Sequence, residues 1–427
     1  MTAASLSAGA TRAGRFRWVI CALLFVAMVF NYVDRQMIGV LKPTLQKEFG
    51  WNESAYGDIV FYFQAAYAVS YIGFGRLVDW IGARFGYAVA FVIWTIGHMS
   101  HAAVRSASGF IAARVLLGVG EGGGFPAGIK AVSEWFPKRE RAFATGLFNA
   151  GTNIGAIVTP LIVPFIAIDL AMGWRATFVI TGLVGLIWLA AWLLIYRSPA
   201  LHPQVGAAEL ALIESDPPEP PGKAPWLSVL RTREAWAYCA GKFLIDPIWG
   251  MYLFWLPDFF AKRYHLDLTT FGPPLVTIYL LSDVGSVAGG WLSGGLMQRG
   301  FSLNAGRKTA MLVCALAVTP IAFAMYASSL WVAVGIIGLA AAAHQGFSAN
   351  LYTLPGDVLP RRAVGTVIGV GGAAGAIGGM LMSKYAGWVL DKMGTYTPIF
   401  IVAASAYGLA LLVIHLLTPR YAPANIA

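Results

Sequence analysis

Charge is scarce in this sequence. Only 12% of its residues are Asp, Glu, Lys or Arg while 58% are hydrophobic, against roughly 25% charged in a soluble globular domain. That deficit excludes an ordinary water-soluble fold. Cysteine is nearly absent too: Cys21, Cys239 and Cys314 all fall in apolar runs, with no CxxC pair and no metal-ligand spacing. They read as small core residues, and no metal site is expected. Catalytic signatures are missing as well. Neither G-x-S-x-G nor H-E-x-x-H occurs, and GVGEGG at 118–123 satisfies G-x-G-x-x-G inside an apolar run instead of between a strand and a helix. Neither an enzyme nor a cofactor is expected. Only one long polar segment exists, RSPALHPQVGAAELALIESDPPEPPGKAP, whose proline cluster at 217–225 cannot sustain a regular fold.

What the sequence has instead is apolar length. A membrane-spanning helix needs about 20 predominantly apolar residues. Twelve stretches qualify: 16–41, 56–80, 84–105, 108–134, 141–170, 174–197, 234–260, 271–297, 307–327, 330–355, 362–389 and 395–418. They are too long for transmembrane strands, and backbone amides in lipid must be satisfied within their own segment, so helices are predicted. The first run follows Arg12, Arg15 and Arg17, continues for a full span and lacks an A-x-A site, so it reads as a first helix and not as a cleavable leader.

Cationic residues sort by side. With the N-terminus in the cytoplasm, eighteen of the 30 Lys and Arg fall in inner segments and seven, Lys42 among them, in outer ones. The other five (Arg35, Arg114, Lys130, Lys242, Lys384) lie inside spans. This bias predicts both termini on the cytoplasmic side of the inner (plasma) membrane, and it explains the net charge of +10 without nucleic acid. An Asn-x-Ser sequon at Asn52 falls in the first outer loop.

The polar segment divides the chain six plus six, into residues 1–197, a cytoplasmic connection 198–233, and 234–427. The halves repeat. EWFPKRERAFATG (134–146) and DVLPRRAVGTVIG (357–369) stand 223 positions apart and coincide at Pro137/Pro360, Arg139/Arg362 and Gly146/Gly369. Gly155/Gly378 also coincide, and Glu121 matches His344. Many transporters are built from such repeats, with the substrate near the bilayer midplane between them.

Several motifs carry a resemblance. GRLVDWIGAR (75–84) resembles the G-x-L-x-D-x-x-G-x-R loop signature of the major facilitator superfamily. RVLLGVGEGGGFPAG (114–128) with EWFPKRERAFATGLFNAG is similar to helices 4 and 5 of its anion:cation symporter branch. HQGFSANLYTLPGDVLPRRAVGTVIGVGGAAGAIGGML (344–381) and DPIWGMYLFWLPDF (246–259) most resemble the hexuronate (glucuronate and galacturonate) transporters within that branch. The resemblance implies an all-α membrane protein of twelve transmembrane helices in two pseudo-symmetric halves. It also implies a gating role for Gly75, Asp79, Gly82 and Arg84, with Asp79 pairing Arg84 or a neighbouring helix end. The second half departs from the signature, with Gly294 in place of an aspartate. GTNIGAIVTP in helix 5 departs from the antiporter signature, which weakens an exporter reading.

Charges within a span cost about 2.5–3.5 kcal/mol each on insertion scales, and four stand out: Asp34, Arg35, Arg114 and Glu121. Arg35 can offer a planar donor fork to a carboxylate. Asp34 and Glu121 are candidate proton carriers, with Arg114 modulating whichever acid it contacts. In the related sugar-acid symporters the matching residues are assigned these roles, and the alternative is a structural ion-pair network between helices 1 and 4. Asp34 and Arg35 point about 100° apart around their helix and need not pair.

Tyr32, Arg35 and Tyr67 resemble the branch's substrate contacts. Asn149, Asn153, His344, Gln345, Ser348 and Asn350 are further candidates, for which helix-to-helix hydrogen bonding is the competing reading. Trp249, Tyr252 and Trp255 could stack on a sugar face or fill the core. Lys242 and Asp246, four apart, are expected to neutralise each other. Glycines 371, 375 and 379 are expected at close helix contacts.

These readings converge on a proton-coupled symporter, acting as a monomer in the bilayer, that imports a sugar-acid anion by alternating access. A hexuronate is expected. An aldonate or other small organic anion is the alternative substrate, and a membrane sensor of the same fold, which would be expected to carry a signalling extension, is the alternative class.

Overall fold

The computed structural model describes residues 14–216, 226–359 and 361–422. Arg12, Pro360 and the proline cluster at 217–225, with Lys223, lie outside the described residues. Regular structure among the described residues is helical. The first half comprises α1 (Phe16–Phe49), α2 (Glu53–Ser100), α3 (Ala107–Glu121), α4 (Gly124–Trp135), α5 (Lys138–Pro164) and α6 (Gly173–Ile195). Two short helices, α7 (Ala207–Ile213) and α8 (Trp226–Leu230), occupy the connection. The second half comprises α9 (Arg233–Tyr264), α10 (Gly272–Gln298), α11 (Leu303–Val318), α12 (Leu330–Val358), α13 (Arg361–Met393) and α14 (Thr397–Leu417).

Nine helices among the described residues are long and apolar enough to cross a bilayer. The remaining expected spans are helical as well, with physical reasons for standing apart. Residues 56–80 and 84–105 join in α2, broken only where Gly82 adopts φ 80° and ψ 165°, a conformation available to glycine and costly for other residues. Segment 108–134 divides into α3 and α4 around Gly122 and Gly123 and carries Arg114, Glu121 and Lys130. Segment 234–260 carries Lys242, Asp246 and Asp258. The polar residues that lower its hydropathy are those with partners inside the protein.

Local signals set the boundaries. Asn52, half of the sequon, accepts a hydrogen bond from the Ala55 amide at 2.8 Å and caps α2, and Gly50 at φ 66° ends α1, as expected for an N-cap and a left-handed C-cap. The repeat reappears in the helix limits: Ala107 and Leu330, Trp135 and Val358, and Lys138 and Arg361 each stand 223 positions apart.

Glycine governs the closest packing. A Cβ at Gly118 would meet the backbone of Phe63 and Tyr67, and one at Gly120 the backbone of Trp94, so α3 nestles between both limbs of α2. On α5, Gly151 and Gly155 lie against the backbone of Phe25 and Val29 on α1. The cysteines are buried and free.

The halves meet through α1 with α9, α2 with α13, and α5 with α10. Polar contacts between them run from mid-height to the end where α1 stops and α2 begins. There Lys42, assigned above to an outer loop, is instead a helical residue with no exposed side-chain surface. Its Nζ lies 2.8 Å from Asp258 Oδ2, 2.5 Å from Glu53 Oε2, and over the rings of Trp255 and Tyr56. Lys262 joins Asp258 at 2.9 Å, the Tyr396 hydroxyl donates to Asp258, and Asp391 accepts the amides of Glu53 and Ser54 at 2.9 and 2.8 Å. At the opposite end, ion pairs among the described residues stay within one half, as Asp79 with Lys130 and Arg307 with Asp357, or tie a half to the connection, as Arg17 with Glu209.

Asp258→Asn leaves Lys42 and Lys262 to share the single carboxylate of Glu53 across this closure. Breaking a buried pair costs about 3–5 kcal/mol, so the closed end is expected to loosen. The measurement is the labelling rate of a cysteine at Ser383, in a background lacking the native cysteines, by a bulky thiol reagent. A several-fold rise is expected, and an unchanged rate would assign the closure instead to the backbone contacts of Gly39 with Leu253 and of Gly387 with Glu53.

Candidate functional site

At mid-height between the halves lies a cavity of about 290 Å³. The first half contributes Asn31, Tyr32 and Arg35 from α1, Phe63, Gln64 and Tyr67 from α2, and Asn149 and Asn153 from α5. The second half contributes Lys242, Asp246 and Trp249 from α9, and His344, Gln345, Ser348 and Tyr352 from α12.

Arg35 is the cationic centre of the first wall. Its guanidinium stacks among aromatic rings, 4.7 Å from the centroid of Tyr67, 5.1 Å from Tyr32 and 5.4 Å from Phe63. Its Nε and Nη2 both donate to Glu121 Oε2, at 3.0 and 2.9 Å. Glu121 is buried and reaches α1 because the flanking glycines let α3 lie against α2. The ring cage and ion pair orient the planar fork of this cavity-lining arginine.

The expected coupling residues divide differently from the sequence reading. Arg114, seven positions from Glu121 on the same helix, forms no ion pair among the described residues; its Nη1 donates to the Arg35 carbonyl at 3.3 Å. The partner of Glu121 is therefore Arg35 and not Arg114. Asp34 points away from the cavity, as the angle from Arg35 requires. Its Oδ2 accepts the indole N–H of Trp94 at 2.6 Å, and His98 Nε2 stands 3.2 Å from its Oδ1 and 2.8 Å from Thr181 Oγ1. Trp94 and His98 went unread because nothing local marks them; only helix rotation brings them to Asp34.

In the second wall Trp249 stacks on His344, centroids 5.2 Å apart at 12°, and His344 Nδ1 is 2.6 Å from the Tyr407 hydroxyl. Lys242 Nζ pairs with Asp246 Oδ2 at 2.7 Å and donates to the Tyr352 hydroxyl at 2.7 Å. Gln64, Tyr352 and Asp283, which accepts from Asn153, escaped sequence reasoning as isolated polar residues on apolar helices.

Two candidates do not reach the cavity. Tyr252 is fully buried behind Trp249, ring to ring at 6.3 Å. Asn350 donates to the carbonyls of Gly289 and Gly346 at 3.0 and 2.9 Å and fastens α12 to α10. Of the loop residues, Asp79 lies near Lys130 at 3.8 Å with 61% of its side chain exposed, while Arg84 donates to the Leu193 carbonyl. Of the two arrangements expected for Asp79, a pair with Arg84 is not seen among the described residues. Gly75 has open space around it, and Gly82 makes the bend.

Comparison with known proteins adds four findings. The profile of the Major Facilitator Superfamily matches residues 24–383. The hexuronate transporter of Escherichia coli strain K12 is 32% identical over 91% of this chain and 90% of its own length. The D-galactonate transporter of Escherichia coli O6:H1 is 27% identical over 93% of this chain and 94% of its own. In fold, a bacterial homologue of the human lysosomal transporter Spinster superposes with a TM-score of 0.77 at 17% identity, covering 96% of this chain and 100% of that one.

Trp94→Phe keeps an aromatic ring while removing the donor to Asp34. A buried acceptor left without its partner costs about 1–3 kcal/mol, so the purified protein should melt at a lower temperature. An unchanged melting temperature would show that His98 alone suffices for the carboxyl group.

Proposed function

The chain belongs to the Major Facilitator Superfamily, and on that premise we propose that it is a proton-coupled symporter importing a sugar-acid anion by alternating access across the inner membrane. The substrate is a hexuronate such as glucuronate or galacturonate. The observation that carries this reading is Arg35, an oriented guanidinium on the cavity wall whose counter-ion is a protein carboxylate. An incoming substrate carboxylate suits the same fork. Once it takes the fork, Glu121 loses its partner in a water-poor site and takes up a proton, which links binding to protonation. Gln64, Asn149, Asn153 and Ser348 supply donors and acceptors for hydroxyls, and Trp249 offers a flat face. With the cationic bias of the loops setting orientation, the closed Lys42–Asp258 end is the outer one, and the exposed Asp79 belongs to a state open inward. The galactonate transporter's similarity keeps an aldonate as the second reading.

Energetics argue for two protons. Moving one negative charge inward against a negative-inside potential costs about 2.3 kcal/mol per 100 mV. One proton cancels that cost, and a second lets the potential drive entry. Glu121, the partner of the cavity-lining Arg35, is the first acid, and Asp34, one residue from Arg35, is the second.

Uptake of labelled glucuronate, galacturonate and galactonate into proteoliposomes under imposed pH and sodium gradients tests the reading. Accumulation driven by the pH gradient is expected. Binding without uptake would favour a sensor, and accumulation driven by sodium would overturn proton coupling. Arg35→Lys keeps the charge and loses the fork, so affinity should fall by roughly tenfold or more; near-normal affinity sinks the carboxylate role. Glu121→Gln should preserve binding or exchange while abolishing proton-driven accumulation, and Asp34→Asn should impair both. If the Glu121→Gln protein still accumulates substrate with unchanged voltage dependence, Glu121 is structural.

A further inference from the structure

We propose that the Lys242–Asp246 pair is a specificity device. It receives the hydroxyl-bearing end of the ligand whose carboxylate Arg35 holds, and it disfavours ligands with a second carboxylate at that end. The inference rests on the sugar-acid reading above. Both residues line the cavity from the half that does not carry Arg35.

Three observations separate this from a buried structural pair. First, the ammonium is turned inward and the carboxylate outward. Lys242 has 5% of its side chain exposed and Asp246 27%, and Lys242 spends two donors on Asp246 and the Tyr352 hydroxyl. The cavity therefore meets the acceptor of the pair. Second, the opposite helix is carved to seat that carboxylate: a Cβ at Gly375 on α13 would collide with Asp246 Oδ2, so any other residue there would displace it. Third, the pair lies four residues apart on one helix, whereas Arg35–Glu121 spans α1 and α3. Relative movement of helices can part the interhelical pair and leaves the intrahelical one joined.

The consequence is a chemical division of the site. Arg35 can be released to a ligand carboxylate, while the charge of Lys242 stays committed to Asp246. Sugar hydroxyls donate well to a carboxylate. A second ligand carboxylate would face Asp246 with no free cation among the described lining residues to balance it.

The test uses galacturonate and galactarate, the same carbon skeleton with one carboxylate or two, measured by binding and competition on the full chain. The unaltered protein should prefer galacturonate. Asp246→Asn frees Lys242 as a cation and should move the galacturonate-to-galactarate affinity ratio toward galactarate by roughly tenfold or more, and Lys242→Gln should move it the other way. Gly375→Ala retains both charges, displaces the carboxylate and should also shift the ratio, which keeps the test open if a charge variant does not fold. A ratio that stays within about twofold in every variant that folds, with both ligands weakened alike, overturns the inference and makes the pair structural. If the unaltered protein binds neither of these acids nor glucuronate or galactonate, the sugar-acid reading itself fails.

Discussion

A guanidinium inside a membrane-spanning helix is costly unless it is paired or hydrogen-bonded, and the meeting of Arg35 with Glu121 organises much of what surrounds it. Satisfying that ion pair requires α1 and α3 to approach at one depth and one rotation. Glycines at 118, 120 and 122 let α3 sink against α2 far enough for Glu121 to reach across. The rings of Tyr32, Phe63 and Tyr67 then enclose the cation, supplying quadrupole attraction where water is scarce. The first wall of the cavity follows from that single electrostatic requirement.

Charge is distributed in tiers along the bundle. At one end the lysines and acids bridge the halves, drawn together through Lys42, Glu53, Asp258 and Lys262. In the middle the pairs face a shared cavity. At the far end Asp79–Lys130 and Arg307–Asp357 each stay within a half. A two-part bundle held by polar contacts at one end, with each half internally braced at the other, is suited to rocking about a central site. Buried pairs are weak evidence for stability, so their placement is better understood as defining which arrangements of the two halves are allowed.

Much of the fold is legible in the amino-acid order. Apolar length dictates helices because lipid offers backbone groups no other partner, and the 223-residue offset between halves returns in matching helix limits at Ala107/Leu330 and Lys138/Arg361. The chemical types of the site are legible too: an arginine and acids within spans, polar residues on α5 and α12, and tryptophan on α9.

Partner choice was decided by tertiary structure. Arg114 is the nearer helical neighbour of Glu121, yet Arg35 takes it; Asp34 turns to Trp94 and His98; Lys42, a loop charge by hydropathy, becomes a buried bridge; and Trp249 reaches the cavity while Tyr252, three residues on, is hidden behind it. The physical reason is one of range. Hydropathy and backbone hydrogen bonding act along a few turns of chain and can be read locally, whereas an ion pair between helices depends on their depth, rotation and separation, which are set by glycine contacts far apart in sequence.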